Sequence, residues 1–300
     1  DYRTAYDENE SILIHLNGDS ATASSNSVKI SGSTVQITEE ATYIISGTLN
    51  NGIILVDAED TAKLQIVLNG VSITNESSAA LYILSADKVF VTLAEGTENT
   101  LANGGSFIAI DENNIDAVVF SKQDLTFNGT GNLIITSPNG NGIVGKDDLV
   151  FTGGNYTINT SSHGIEANDS VRITGTTQIT VDAGKDGIHC ENNDDTSLGF
   201  IYISAGTLNI EAEGDGISAS AYMQIVDGTF SVLAGGGSEN GSSQSSNTWG
   251  AFMGGDMPPG QQSSSNTATT EDSTSMKGIK TSGTLNIFSG SFQINSSDDC

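Results

Sequence analysis

One short phrase recurs four times between Asn141 and Ser220: Asn141-Gly-Ile, His163-Gly-Ile, Asp186-Gly-Ile and Asp215-Gly-Ile. Its glycines, Gly142, Gly164, Gly187 and Gly216, fall 22, 23 and 29 residues apart. Self-similarity at such a period marks a solenoid, in which each unit can bury its apolar face only by stacking on its neighbours. The apolar residues alternate, as in Val171-Arg-Ile173 and Ile179-Thr-Val181. That is the strand period of two, and no window sustains the i, i+3, i+4 spacing of a helix. The chain is therefore expected to be all-β.

A second phrase supports the same reading: an apolar pair, one or two polar residues, then glycine. It appears in Leu125-Thr-Phe-Asn-Gly129, Leu149-Val-Phe-Thr-Gly153, Val171-Arg-Ile-Thr-Gly175, Ile201-Tyr-Ile-Ser-Ala-Gly206 and Met223-Gln-Ile-Val-Asp-Gly228. A repeat of about 22 residues holds three short strands and three turns at ordinary strand rise, which predicts a right-handed parallel β-helix of roughly ten coils. Glycine suits corners where the backbone takes positive φ or where neighbouring coils approach closely. Residues 1–40 read as an N-terminal arm and cap, and residues 41–300 as the β-helix. Two insertions lengthen coils: the acidic stretch 191–199 and a long Ser-, Asn- and Gly-rich loop at 235–275 that carries Trp249, the single tryptophan.

Charge narrows the range of partners. Against 10 Lys and Arg stand 37 Asp and Glu, a formal net charge of -27. Such a chain repels nucleic acid and anionic membrane faces, and its counter-charges are cations, basic partners or polyanions bridged by a divalent metal. No run of about 18 apolar residues is present, so no transmembrane helix is expected. A start at Asp1 suggests a processed or trimmed secreted protein. Cys190 and Cys300 are too few for a disulfide framework and lack metal-site spacing, leaving a single bond or two separate thiols.

Three further stretches bear a family likeness: Thr42-Tyr-Ile-Ile-Ser-Gly-Thr-Leu49, Lys63-Leu-Gln-Ile-Val-Leu-Asn-Gly-Val-Ser-Ile73, and Ala86-Asp-Lys-Val-Phe-Val-Thr-Leu-Ala-Glu-Gly-Thr-Glu-Asn-Thr-Leu101. With the Gly-Ile coils they make residues 27–295 resemble the clostridial-type carbohydrate-binding right-handed parallel β-helix proteins, which bind cellulose and pectic polysaccharide at the cell surface. The resemblance implies bound calcium and a fold similar to family 9 pectate lyases, with carbohydrate binding in place of catalysis.

The residues themselves bear on calcium, which takes six to eight oxygens. Equivalent positions on successive coils stack about 4.8 Å apart, close enough for two carboxylates to share an ion. Asp186 and Asp215 occupy one slot on adjacent coils, with Asn141 and His163 in the same slot further back. Asp182, Glu166, Glu191, Asn192, Asp194, Asp195 and Glu213 are the candidate additional ligands. The competing explanation is that Asp before Gly is an ordinary turn residue.

Lyase chemistry would need a base to remove the C5 proton beside a cation. The related lyases use lysine near an aspartate cluster. Here the matching phrase is Lys185-Asp-Gly-Ile-His189, with His189 where a third carboxylate would help. That departure favours binding without turnover. Trp249, Phe252, Tyr202 and Tyr222 are candidate sugar-stacking aromatics, with Lys185 a candidate contact.

The expectation is a secreted or cell-surface, calcium-binding protein for pectic or cellulosic chains, with no nucleic-acid partner. A calcium-dependent pectate-type lyase and a subunit of a self-assembling surface fibre are the rivals. The fibre reading is motivated by a last repeat that breaks off at Asp299-Cys300, an open coil available for self-association.

Overall fold

The computed structural model describes residues 2–241 and 275–298. Among these residues there are 28 strands and a short 3-10 turn at Ser238–Asn240, with no α-helix. Nearly all pairing is parallel, and the partner of a strand is generally three strands away in sequence. The architecture is all-β with long parallel sheets, a β-helix-like fold.

The strands stack in three columns. The first runs through Lys88–Leu93, Asp124–Gly129, Asp148–Phe151, Ser170–Ile173, Phe200–Ile203, Met223–Ile225 and Leu285–Ile287. The second runs through Glu98–Asn103, Asn132–Ser137, Asn155–Thr160, Gln178–Ala183, Thr207–Ala212, Thr229–Ala234 and Ser291–Ser296. The third belongs to a separate ten-stranded sheet, whose later members are Ala117–Ser121, Asn141–Gly145, Ile165–Ala167, Ile188–Cys190, Ile217–Ala219 and Ile279–Thr281.

Register makes the core. Leu125, Leu149, Val171, Ile201 and Met223 align along the first column and are all fully buried. Ile158, Val181, Ile210 and Val232 align along the second and are buried too. Because side chains alternate across a strand, the residues between these point away from this core, although Thr126 and Val150 of the first column are themselves covered. Aromatic rings add stacked layers: Phe127 and Phe151 lie 5.2 Å apart and 9° from parallel, with the Tyr156 ring edge-on to both.

The two kinds of repeated glycine serve different purposes. Those of the second phrase turn corners with positive φ, as at Gly129 (95°) and Gly206 (127°). At Gly153 it is the following residue, Gly154, that takes this conformation. The Gly-Ile glycines have no such φ. A Cβ at Gly187 would overlap the Ile210 side chain and lie 2.7 Å from the carbonyl oxygen of Gly216. Glycine is needed there because two coils and a core isoleucine meet at one point.

At the N-terminal end, Ile12–Gly18 with Ala21–Ala23 and Val28–Ser31 with Thr34–Ile37 form antiparallel pairs. The segment before them lies against the first column. The Arg3 carbonyl accepts hydrogen bonds from Gln65 and Asn128, while its guanidinium donates to Thr42 and to the Lys63 carbonyl. Cys190 is a buried free thiol, and Cys300 lies outside the described residues.

Candidate functional site

The residue preceding each Gly-Ile sits at the entrance to the third column, where its side chain can reach the equivalent residue of the next coil. The Asn141 Oδ1 accepts the His163 N–H at 2.9 Å, Asp186 Oδ1 accepts the Asp215 N–H at 2.8 Å, and Asp215 Oδ1 accepts the Lys277 N–H at 2.7 Å. A backbone ladder runs beside it, with Gly164 and Gly187 donating to the carbonyls of Asp186 and Asp215. An amide or carboxylate oxygen at this slot thus satisfies a backbone donor that would otherwise be stranded at a coil junction. His163 is the exception, and it is there that unusual chemistry collects.

The rings of His163 and His189 stack with centroids 4.8 Å apart. Both Nδ1 atoms face Asp186 Oδ2, at 3.9 Å from His163 and 2.9 Å from His189. On its other edge, His189 Nε2 lies 3.4 Å from Glu191 Oε2. His163 Nδ1 is buried with no hydrogen-bond partner. Burial, aided by the neighbouring His189, pulls the His163 imidazole down to about 4. At His189 burial pulls the same way but is outweighed by the hydrogen bond to Asp186 and the charges of Asp186, Glu166 and Glu191, so its pKa is raised. Burial disfavours the Asp186 carboxylate, yet the His189 hydrogen bond and the Asp215 N–H overcome this and hold it below its usual range.

The candidate calcium ligands are divided among four places. Glu166, Glu191, Asn192 and Asp194, with His189, line a hollow of about 260 Å³ beside the third column. Asp182 and Glu213 line a different depression on the second column with Glu211, Asn240 and Met276. Asp186 and Asp215 occupy the turn between the columns and are tied to each other through the ladder. Asp195 caps its own turn, accepting the N–H and hydroxyl of Ser197, and is exposed.

Calcium can be tested against these donors. Both oxygens of Asp215 are engaged, one by the Lys277 N–H and the other by the Lys280 ammonium at 2.8 Å, and its side chain is only 3% exposed. Asp186 is likewise committed, to the Asp215 N–H and to His189. A lysine therefore holds the place expected for an ion shared by the pair. Glu166, Glu191 and Asp194 stand on the rim of the hollow, with Glu166 engaged by Lys146 and Asn141, and they are not among the described residues whose ligand atoms gather within 4.8 Å of one another. Asn192 supports that rim: its Oδ1 accepts the N–H groups of Asp194 and Asp195 and its Nδ2 donates to Asp169.

Of the candidate sugar contacts, Tyr222 is 38% exposed and Tyr202 is half-buried opposite Arg172 and Gln224. The Tyr222 ring stacks on Phe200, with centroids 4.7 Å apart and planes 5° from parallel. The Arg172 guanidinium covers Phe200 at 5.4 Å. Sequence reasoning missed Phe200, although its outward parity with Tyr202 in Phe200-Ile-Tyr-Ile203 was a usable signal. Lys185 is exposed on the turn before Asp186. Trp249 and Phe252 lie outside the described residues.

Residues 31–300 match the family model described as carbohydrate-binding domain-containing protein. The chain belongs to this family. A carbohydrate-binding domain-containing protein of Acetivibrio thermocellus is 36% identical over 211 residues, covering 70% of this chain and 73% of the relative. Among solved structures, a polysaccharide lyase-like protein from C. thermocellum, solved as a gadolinium derivative, superposes with a TM-score of 0.75. It is 31% identical, and the match covers 94% of this chain and all of that one. These likenesses support carbohydrate binding on a polysaccharide lyase-like β-fold. Among the described residues no helix is long and apolar enough to cross a membrane.

Proposed function

We propose that this carbohydrate-binding protein acts outside the cell on pectic (polygalacturonate) or cellulosic chains, with calcium joining its acids to uronate groups, and that it does not cleave them. We read its fold as a closed right-handed parallel β-helix of roughly ten coils, since parallel partners recur every third strand. The observation that carries the functional reading is the hollow rimmed by Glu166, Glu191 and Asp194. A chain of net charge -27 repels a polyuronate unless a cation lies between them. The Phe200–Tyr222 stack, which begins where the acidic insertion ends, is the companion surface for sugar rings.

Absence of turnover is supported by how three of the four lysines near this face are used, exposed Lys185 being the exception. Lys146 pairs with Glu166 at 3.6 Å, Lys280 with Asp215 and Lys277 with Asp298. A lysine held as an ammonium by a carboxylate is a poor general base. The test is affinity electrophoresis in polygalacturonate and in soluble cellulose derivatives, with calcium and with chelator, alongside ultraviolet absorbance for unsaturated product. Calcium-dependent retardation without product is expected. Sustained product formation would establish the lyase reading instead, and migration unaffected by any polysaccharide would remove both.

A second reading, self-association, is favoured by one feature. Leu285, Ile287 and Phe288 on the last first-column strand and its turn are 41%, 47% and 70% exposed, an apolar edge that a second copy could cover. Size-exclusion profiles across a range of concentrations decide it, a constant monomer volume counting against it.

A further inference from the structure

We propose that His163, Asp186 and His189 form a binding site for a divalent transition ion of the zinc class, adjoining the acidic hollow that His189 and Glu191 also line. Their ligand atoms lie within 4.8 Å of one another, and this trio is the group of that kind found among the described residues. Two imidazole nitrogens and one carboxylate oxygen are a donor set for zinc, nickel, copper or cobalt, whereas calcium takes oxygens alone.

Geometry favours an ion at this point. Zinc binds nitrogen and oxygen at about 2.0–2.2 Å, so tetrahedral ligands stand roughly 3.4 Å apart. The Asp186 Oδ2 distances of 2.9 Å to His189 Nδ1 and 3.9 Å to His163 Nδ1 bracket that spacing. Both Nδ1 atoms lie on the Asp186 Oδ2 side of the stacked ring pair. His163 Nδ1 is buried without a hydrogen-bond partner, an arrangement that native interiors rarely leave unexplained. A bound ion satisfies it. The same ion takes the place of the proton between His189 and Asp186.

The surroundings are those of a supported ligand set. Asp186 Oδ1 is pinned by the Asp215 N–H, fixing the direction of Oδ2. With metal at Nδ1, His189 carries its proton on Nε2, which faces Glu191 Oε2. A carboxylate receiving the remote N–H of a ligating histidine is the usual means of orienting the ring and raising its basicity. All three ligands are mostly covered, with side-chain exposures of 17%, 15% and 21% for His163, Asp186 and His189. Three protein ligands leave one position of a four-coordinate ion for water or an incoming oxygen donor.

The probes are Zn2+ by calorimetry and Co2+ by visible absorption and NMR. The chelator-stripped full chain is used, in millimolar calcium so that surface carboxylates are occupied. One Zn2+ per chain is expected, displacing a tetrahedral Co2+ spectrum, and H163Q and H189Q should each weaken Zn2+ binding by about tenfold or more. Circular dichroism checks that the variants fold. On the unmodified protein, Co2+ should shift the ring protons of His163 and His189 while leaving those of His15 in place. Zinc binding equally tight in H163Q, or unmoved His163 and His189 signals, would show adventitious carboxylate binding and overturn the site. Either failure leaves calcium-dependent retention by polysaccharide unaffected, since that depends on the hollow.

Discussion

Asp186 Oδ1 accepts the backbone N–H of Asp215, 29 residues further along the chain, at 2.8 Å. One carboxylate thus closes a coil junction with one oxygen and faces two histidines with the other. The same slot filled by Asp215 meets a different need, since its second oxygen is held by Lys280. Equivalent positions in the repeat have identical backbone duties and divergent chemistry.

Substituting Lys280 by alanine should expose this difference. Asp215 is almost fully buried, so losing the ammonium leaves an oxygen without its charged partner. Such a loss is expected to destabilise by about 2 kcal/mol. Urea unfolding of K280A checks it, and the double variant with Asp215→Asn should recover part of the loss.

Gly187→Ala is expected to destabilise by about 1–3 kcal/mol, because an added Cβ meets both Ile210 and the Gly216 carbonyl. Gly70→Ala makes a useful contrast. Nothing lies within 4 Å of a Cβ there, so any effect comes from its φ of 75° alone. Pairing G187A with Ile210→Ala or Ile210→Val should relieve part of the first effect, measured as a shift in denaturation midpoint.

The pH response of His163 has a definite sign. Its folded pKa of about 4 lies below the ordinary 6.5, so between these values the unfolded chain binds more protons than the folded one. Stability contributed by keeping His163 neutral is present above about pH 6.5 and is lost as pH falls toward 4. His189 runs the other way: its raised pKa gives a contribution present below pH 6.5 and lost as pH rises through the folded value. Metal-free NMR titration should find His163 protonating well below His189. Chemical denaturation of His163→Gln should show a flatter slope between pH 6.5 and 4.

Tyr222→Ala should weaken polysaccharide retention about fivefold, the loss of roughly 1 kcal/mol of ring stacking, while Tyr222→Phe should change it little. Phe200→Ala is expected to follow Tyr222→Ala, since the two rings are stacked. Affinity electrophoresis in the polysaccharide that retards the unmodified protein supplies the measurement. Equal retention of Y222A would remove the aromatic surface from the binding account.

Repetition made much of the fold legible. The period of the Gly-Ile phrase and the alternation in stretches such as Gln178-Ile-Thr-Val-Asp-Ala183 depend only on local spacing, and that strand pairs in parallel with the equivalent strands of the coils before and after it. The chain also determined an overall repulsion toward polyanions, because net charge does not depend on folding. Which donors meet was a tertiary matter. Asp182 and Glu166 are both acidic neighbours of the repeat, yet one lies on the second column and the other on the third, lining different depressions. Lys280 reaches Asp215 from 65 residues away, and Phe200 finds Tyr222 across a coil boundary. His163 shares a slot with asparagine and aspartate in sequence. Only stacking of adjacent coils brings its Nδ1 to the oxygen that also faces His189. A repeating sequence sets which positions stack. The depth of burial and the side chains on the next coil decide whether a stacked residue caps a backbone, pairs with a cation or faces a second histidine.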